Sequence, residues 1–259
     1  MGHMEIESQL ARLYEQQLAL TPDDRYLHAH ARNRAVRARH VSVFQRYAPY
    51  LEGAHTVLDW GSRNAADACM IRMRFGDQIE LHACDVDRGG YTAFYNFARL
   101  QYKTLTHPYH LPYDDGQFDA IIGSGVLEHV PIDTMSLIEH YRVIRTGGHL
   151  IITFLPNRTS HTEWLNRQLG HPGHLRLYSL RQVKNMLIHH GFLPVAAGYH
   201  QIMPSLSSLR GGIFDSPAAN WTVEKLAALN GPLERIPLLR ALATNVFVIG
   251  RKVDAIHAP

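Results

Sequence analysis

The stretch 56–87, TVLDWGSRNAADACMIRMRFGDQIELHACDVD, carries residue types that could hold a nucleoside. Gly61 follows a short apolar, β-favouring run, Thr56-Val57-Leu58-Asp59-Trp60, and the Ser62-Arg63-Asn64 that comes next is turn-prone. Ala68, Ile71 and Phe75 then recur at helical spacing, Gly76-Asp77 closes that helix, and residues 79–84 read as a second strand ending in Asp85 and Asp87. A parallel pair joined by a helix puts the first turn at the carboxyl ends of the strands, where open α/β sheets bind their ligands. An acid at the end of the second strand accepts hydrogen bonds from a ribose diol. The residues alone therefore point to a nucleoside-containing ligand over Gly61 with Asp85 on its sugar. A purely structural strand-helix-strand unit is the alternative.

The elements around this stretch must position it. Residues 5–20 predict a helix with Leu10, Leu13, Tyr14 and Leu18 on its apolar side. Thr21-Pro22-Asp23-Asp24 is a helix-start signal, and one helix is expected from there to Tyr47. That helix carries Arg25, Arg32, Arg34, Arg37, Arg39 and Arg46, read as a solvated basic face, with an anionic substrate or membrane surface as the sharper alternative. Residues 91–100 predict a helix and 101–105 a third strand, and the nearly all-apolar 118–123 is a fourth strand buried on both faces. Asp133 is expected to cap the next helix, Gly147-Gly148 to end it, and residues 149–155 to form the fifth strand. Ser179 fits a capping box with Gln182 and opens a helix to about His190, followed by strands over 192–199 and 245–253. Short helices are expected over 222–229 and 233–242. The repeating strand-helix order predicts an α/β fold with a doubly wound, mostly parallel seven-stranded sheet.

With 259 residues, 46% hydrophobic and 19% charged, the chain suits one large α/β domain with appendages. The expected divisions are 1–4, a cloning scar; 5–50, an N-terminal helical cap; 51–200, the ligand-binding core with a polar lid over 156–178; 201–243, a helical insertion; and 244–259, the last strand and tail. No apolar run reaches ~18 residues, so no transmembrane segment is expected. The absence of a signal peptide, with Cys69 and Cys84 inside predicted elements, suits buried reduced thiols and a cytoplasmic location. A net charge of +3 is too small to argue for nucleic acid. His28/His30, His171/His174 and His189/His190 are scattered pairs without cysteine or HExxH partners, so no metal is expected.

The segment LPYDDGQFDAIIGSGVLEHV, residues 111–130, resembles S-adenosylmethionine-dependent methyltransferases of the large Rossmann-like class, in the manner of their type 11 domains. MSLIEHYRVIRTGGHLIITFLPN and HLRLYSLRQVKNMLIHHGF continue the resemblance, and VLDWG with CDVD occupies the place of the cofactor turn; together these cover about 57–195. The resemblance implies S-adenosylmethionine as cofactor. It implies that Gly61 and Ser62 form the turn beside the methionine part, that Asp59 orders that turn, and that Asp85 takes the ribose hydroxyls. Val86 would then pack on the adenine, His107 would lie near its amine, and Ser124 and Gly125 would line the sulfonium side. Two departures stand out: the family's GxGxG reads here as Gly61-Ser62-Arg63-Asn64-Ala65, and His107 replaces an acid. Arg63 could cover the cofactor carboxylate or fill the cleft.

Methyl transfer from a sulfonium needs in-line alignment and exclusion of water. An alcohol or phenol acceptor also needs a proton removed, which histidine does near neutral pH. His129, just past the fourth strand, is the first candidate, with Glu128 beside it; a histidine that fixes the loop is the alternative. His161, His174, Tyr178 and His200 fall in segments expected to frame the acceptor pocket. The expected activity is methylation of a small polar metabolite, on oxygen. The competing readings are a catalytically degenerate scaffold, a nicotinamide oxidoreductase lacking its GxGxxG, and a nucleic-acid methyltransferase lacking aromatic-basic interleaving. The sequence does not fix the oligomeric state, and a homodimer is one option.

Overall fold

The computed structural model describes residues 2–170, 173–203, 225–226 and 229–254. Helices α1 (His3–Leu20), α2 (Arg25–Arg32) and α3 (Arg34–Tyr47) precede the sheet. Then follow β1 (Thr56–Trp60), α4 (Ala66–Phe75), β2 (Glu80–Asp85), α5 (Thr92–Ala98), β3 (Gln101–Thr104) and β4 (Phe118–Ser124). The chain continues through α6 (Asp133–Val143), β5 (Ile144–Pro156), α7 (His161–Gln168), α8 (Leu180–His189), β6 (Phe192–His200) and β7 (Asn245–Lys252). The strands form a seven-stranded sheet in the order β3-β2-β1-β4-β5-β7-β6. Only β7 runs antiparallel to its neighbours, β5 and β6, while the other pairs are parallel. The doubly wound, mostly parallel expectation is met.

Period-two alternation divides the sheet's side chains between two cores. Val57, Ala120, Ile122 and Ile151 face one side, where α1, α3, α4 and α5 supply Leu10, Phe44, Ile71 and Phe94. Leu58, Trp60, Ile121, Leu150 and Ile152 face the other, against Leu137 of α6 and Val183 and Leu187 of α8. Strands covered on both faces must be apolar throughout, which is why β4 reads FDAIIGS. Gly123 of β4 lies opposite Trp60 of β1, and a Cβ there would meet the indole at 2.7 Å. Its missing side chain leaves room for the large ring. Both cysteines are free and buried.

The N-terminal helices differ from the single helix expected between Thr21 and Tyr47. Asp24, not Thr21, is the cap, accepting from the backbone N–H of Tyr26 and Leu27 at 2.9 and 3.1 Å. Asn33 then breaks the run: its side chain accepts from the Val36 N–H, so the local bond starts α3 anew instead of continuing α2. Arg37 supplies the other half of the joint. It donates to the His30 and Ala31 carbonyls left open at the end of α2 and pairs with Glu7 at 2.9 Å. The expected basic face is therefore only partly solvated. Arg25, Arg32 and Arg34 are exposed, whereas Arg37 is buried and Arg46 pairs with Glu234.

Two further boundaries move. Asp133 is the first residue of α6 rather than its cap, and its carboxylate accepts from Thr134 N and from the Tyr178 hydroxyl. The helix stops at Val143, and Gly147-Gly148 lie inside β5, where the register against β4 shifts between Phe118 and Ala120. The expected helix over 233–242 is split into Asn230–Glu234 and Pro237–Arg240, since Pro237 has no N–H to continue the first. The expected helix over 222–229 lies largely outside the described residues.

His140, on α6, packs edge-on against Trp60 and is 1% exposed, and burial lowers its pKa to about 3. In the unfolded chain an imidazole titrates near 6.5, so the unfolded state binds the extra proton between these values. Stability from the neutral buried ring is thus full above pH ~6.5 and falls as pH drops. His140→Leu removes this loss. On going from pH 7 to 5, the variant should lose about 2 kcal/mol less stability than wild type, measured by urea unfolding at each pH.

Candidate active site

The carboxyl ends of β1 and β4, with Phe154 of β5, open into a cleft of about 630 Å³. Its floor is the turn from β1 into α4. Gly61 has φ +65, and a Cβ on it would meet the Val126 methyls at 2.5 and 2.6 Å. The following residues keep glycine-like geometry without being glycine: Arg63 has φ 44 and Ala65 φ 55. Left-handed backbone costs a non-glycine residue roughly 1–2 kcal/mol, and local bonds must hold it. The Gly61 and Ser62 N–H groups both donate to the Cys84 carbonyl, at 2.8 and 3.3 Å. The Arg63 N–H donates to Asp85 Oδ2 at 2.9 Å, and the Tyr95 hydroxyl donates to the Arg63 carbonyl. Local bonds therefore hold the turn in a left-handed path with non-glycine residues at 63 and 65.

The Arg63 side chain folds back over the Tyr26 ring at 3.6 Å. This contact belongs to α2, so the helix joint at Asn33 helps set the wall of the cleft. Tyr26, His30, Arg39 and His40 of α2 and α3 all line it. Behind the turn lies a buried pair of acids. Asp59 accepts from the Ala68 N–H, and Asp67 accepts from the Tyr47 hydroxyl at 2.5 Å. Burial raises both carboxyls, and the neighbouring Asp67 charge raises Asp59 further. The pair favours sharing a proton or facing a cation.

Asp85, Arg63 and Gly61 line an adjoining pocket of about 450 Å³, with Asp87, Tyr91, Val126 and His129. Among the other residues expected at the cofactor, Asp59, Ser62, Ser124 and Gly125 line the main cleft. Val86 is 73% exposed at the end of β2 and is not among the lining residues. His107 lines neither pocket: its Nδ1 accepts from the Tyr109 and His110 N–H groups, so its visible role is to shape its own turn.

The acceptor-side candidates separate more sharply. His129 and His174 line the cleft, their rings 5.9 Å apart. Glu128 lies beside them, and burial pushes its carboxyl up to about 7. His129 is lowered by burial and then by His174. One ligand-type atom from each of Glu128, His129 and His174 lies within 4.8 Å of the others. The remaining candidates do not reach the cleft. Tyr178 is buried with its hydroxyl donating to Leu127 O at 3.3 Å and to Asp133 Oδ2 at 3.1 Å. His161 holds the Leu242 carbonyl at 2.8 Å, and buried His200 packs on Phe154 at 5.7 Å. No spacing rule marks the residues that sequence reasoning missed: Asp67, Arg39, His40, Glu163, Thr162, Asn166 and Asn245. Phe154 is a further case, turned into the cleft by φ 57 within the β5 bulge.

Residues 58–152 match the family model for the methyltransferase domain. The chain carries a methyltransferase domain of the S-adenosylmethionine-dependent, Rossmann-like class. The cofactor of this domain is S-adenosylmethionine. Solved structures share the fold at low identity. A SAM-dependent methyltransferase from Thermotoga maritima is 16% identical, with 96% of this chain and 99% of that one covered at a TM-score of 0.57. One from Archaeoglobus fulgidus is 19% identical, covering 83% of this chain and 94% of its own at 0.55. Geranyl diphosphate C-methyltransferase from Streptomyces coelicolor, solved with Mg2+, geranyl diphosphate and S-adenosyl-L-homocysteine, is 14% identical and covers 90% of this chain and 84% of its own at 0.57. No curated protein sequence matches the chain. Among the described residues, no helix of this methyltransferase is long and apolar enough to cross a membrane.

The turn geometry generates a direct test. Gly61→Ala would add both a left-handed strain and a clash with Val126. We expect it to cost about 1–3 kcal/mol in denaturant unfolding and to weaken S-adenosylmethionine binding at least tenfold by calorimetry. Unchanged binding would mean that the floor of the cleft does not contact the cofactor.

Proposed function

We propose that the enzyme transfers the methyl group of S-adenosylmethionine to an oxygen of a small polar metabolite, bound at the His129–His174 end of the cleft. The observation that carries this reading is the polarity of that end. Around His129 and His174, the cleft is lined by Arg39, His40, Thr162, Asn166 and Asn245, with Phe154 as the large apolar surface. Such a lining suits an acceptor rich in hydroxyls or carrying an acid, and gives a long hydrocarbon little to bury against.

In this reading the adenosyl group lies over the turn, with its ribose on Asp85 and its methionine part between Gly61 and Ser124–Gly125. Asp59 and Asp67 line the cleft near this end. A cofactor ammonium facing that pair would offset the cost of burying two carboxylates together. Arg63 lines both pockets, where a charge-assisted bond to the cofactor carboxylate would require it to leave Tyr26. The acceptor oxygen approaches from the opposite side, in line with the sulfonium, and its proton leaves at the Glu128–His129–His174 end of the cleft. Residues of α2, α3 and α7 wall the cleft, and positioning of the two reactants supplies much of the rate.

Asp85→Ala tests the cofactor assignment. Loss of a charged acceptor for the ribose diol costs about 1.5–3 kcal/mol, or tenfold to a hundredfold in affinity, read by calorimetry with S-adenosylmethionine. Methyl transfer from labelled cofactor to a panel of hydroxylated small molecules tests the acceptor class. Activity confined to amines, or to apolar acceptors, would contradict it.

A further inference from the structure

We propose that Glu128, His129 and His174 bind a divalent transition-metal cation at the acceptor end of the cleft. The sequence hides this set, since His174 lies far from the other two along the chain. The fold brings one ligand-type atom of each within 4.8 Å of the others. Ligands around a zinc ion sit about 2.0–2.2 Å from the metal, so closing the set needs side-chain movements on the order of 1 Å. His129, whose side chain is 66% exposed, has room to make them.

Three further observations favour a cation here. First, Glu128 is almost wholly buried, with a side chain 3% exposed, yet its Oε2 has no hydrogen-bond partner among the described residues. A buried carboxylate oxygen without a partner is costly, and a bound cation would offset that cost. Second, Glu163 grips His174 twice, accepting from its backbone N–H at 3.1 Å and sitting 2.7 Å from its Nδ1. A carboxylate on one ring nitrogen is the usual means of orienting a metal-bound histidine, which then ligates through the other, Nε2. Third, the loop carrying Glu128 and His129 is pinned from outside. Arg176 donates to the carbonyls of Leu127, Val130 and Pro131 at 2.9–3.2 Å, and the Tyr178 hydroxyl donates to Leu127. Two of the three ligands thus sit on a backbone that is already fixed.

The donor set selects the ion class. Two imidazoles and one carboxylate suit Zn2+, Co2+ or Mn2+, whereas Mg2+ and Ca2+ take oxygen ligands. Three protein ligands leave further coordination positions open, and these face the cleft. An acceptor with adjacent oxygens, such as a vicinal diol or a hydroxy acid, could occupy them. Bound oxygen is more acidic than free oxygen, so the cation would let the acceptor lose its proton to solvent without a free imidazole. This role rests on the proposed methyl transfer to oxygen. The binding of the metal does not.

Chelator-treated protein titrated with ZnCl2 in a calorimeter tests the site. Wild type should bind one Zn2+ per chain. His129→Ala and His174→Ala should each weaken that event about 100-fold or more, and Glu163→Gln should weaken it about 10–100-fold by freeing the ring of His174. His110→Ala, which breaks a surface histidine–glutamate contact of 3.0 Å, should change nothing. Should His174→Ala misfold, His129→Ala carries the test, because its side chain is exposed. Absence of a stoichiometric site in wild type, or an isotherm unchanged in both histidine variants, overturns the proposal. Titration of the same samples with S-adenosylhomocysteine separates the two claims. Cofactor binding without zinc binding overturns the metal alone, and zinc binding without cofactor binding overturns the methyl-transfer reading alone.

Discussion

The structure depends on the bond pattern that holds the turn after β1 in a left-handed path. Gly61, Arg63 and Ala65 all have positive φ, though only the first is a glycine. The neighbouring strand supplies the restraint, through the Cys84 carbonyl and the Asp85 carboxylate. The same carboxylate is expected to meet the ribose, so the residue that shapes the turn also recognises what lies on it. A turn restrained in this way can do without two of the three family glycines. Arginine brings something glycine lacks, a cation that reaches α2 through Tyr26.

From that turn outward the cleft divides by electrostatic character. The end beneath α4 is acidic, with Asp59 and Asp67 raised by burial. The other end mixes imidazole and guanidinium, from Arg39, His40, His129 and His174, with the carboxylates of Glu128 and Glu163. A cationic sulfonium ligand suits the acidic end, and a polar acceptor suits the mixed one. Burial keeps His30 and His40 neutral near pH 7, so Arg39 is the fixed charge among the α2 and α3 groups. The strain at Phe154 and the helix break at Asn33 both serve this end. One turns an aromatic face into the cleft, and the other sets α2 so that Tyr26 and His30 border it.

Much of the fold was legible because each strand announces itself locally. The apolar runs at β1, β4 and β5 reflect burial on two faces, and the glycine after β1 marks where the sheet must release the chain. The domain type was legible because several segments match in order. The limits of legibility were equally physical. One Asn side chain bonding locally outweighed a helical pattern running from Thr21 to Tyr47, and pattern reading has no term for that competition. Arg37 looked solvated because its partners, Glu7 and the α2 carbonyls, are only assembled by the joint it stabilises. At the site, strand-end residues such as Asp85 and Ser124 could be placed from topology. His129, just past β4, could be placed in the same way, and the other histidines could not. Of four expected around the acceptor, counting His129, only His129 and His174 line the cleft, since His161 bonds the Leu242 carbonyl and His200 is buried against Phe154.

The central claim is that the cofactor lies across the turn from β1 to α4, with its sulfur between Gly61 and Ser124–Gly125. A crystal structure of the protein with S-adenosylhomocysteine measures this directly. The account predicts ribose oxygens within hydrogen-bond distance of Asp85, the sulfur facing the His129–His174 end, and the left-handed turn unchanged. A cofactor found elsewhere, or an Arg63 side chain lying across the space over Gly61, would contradict it.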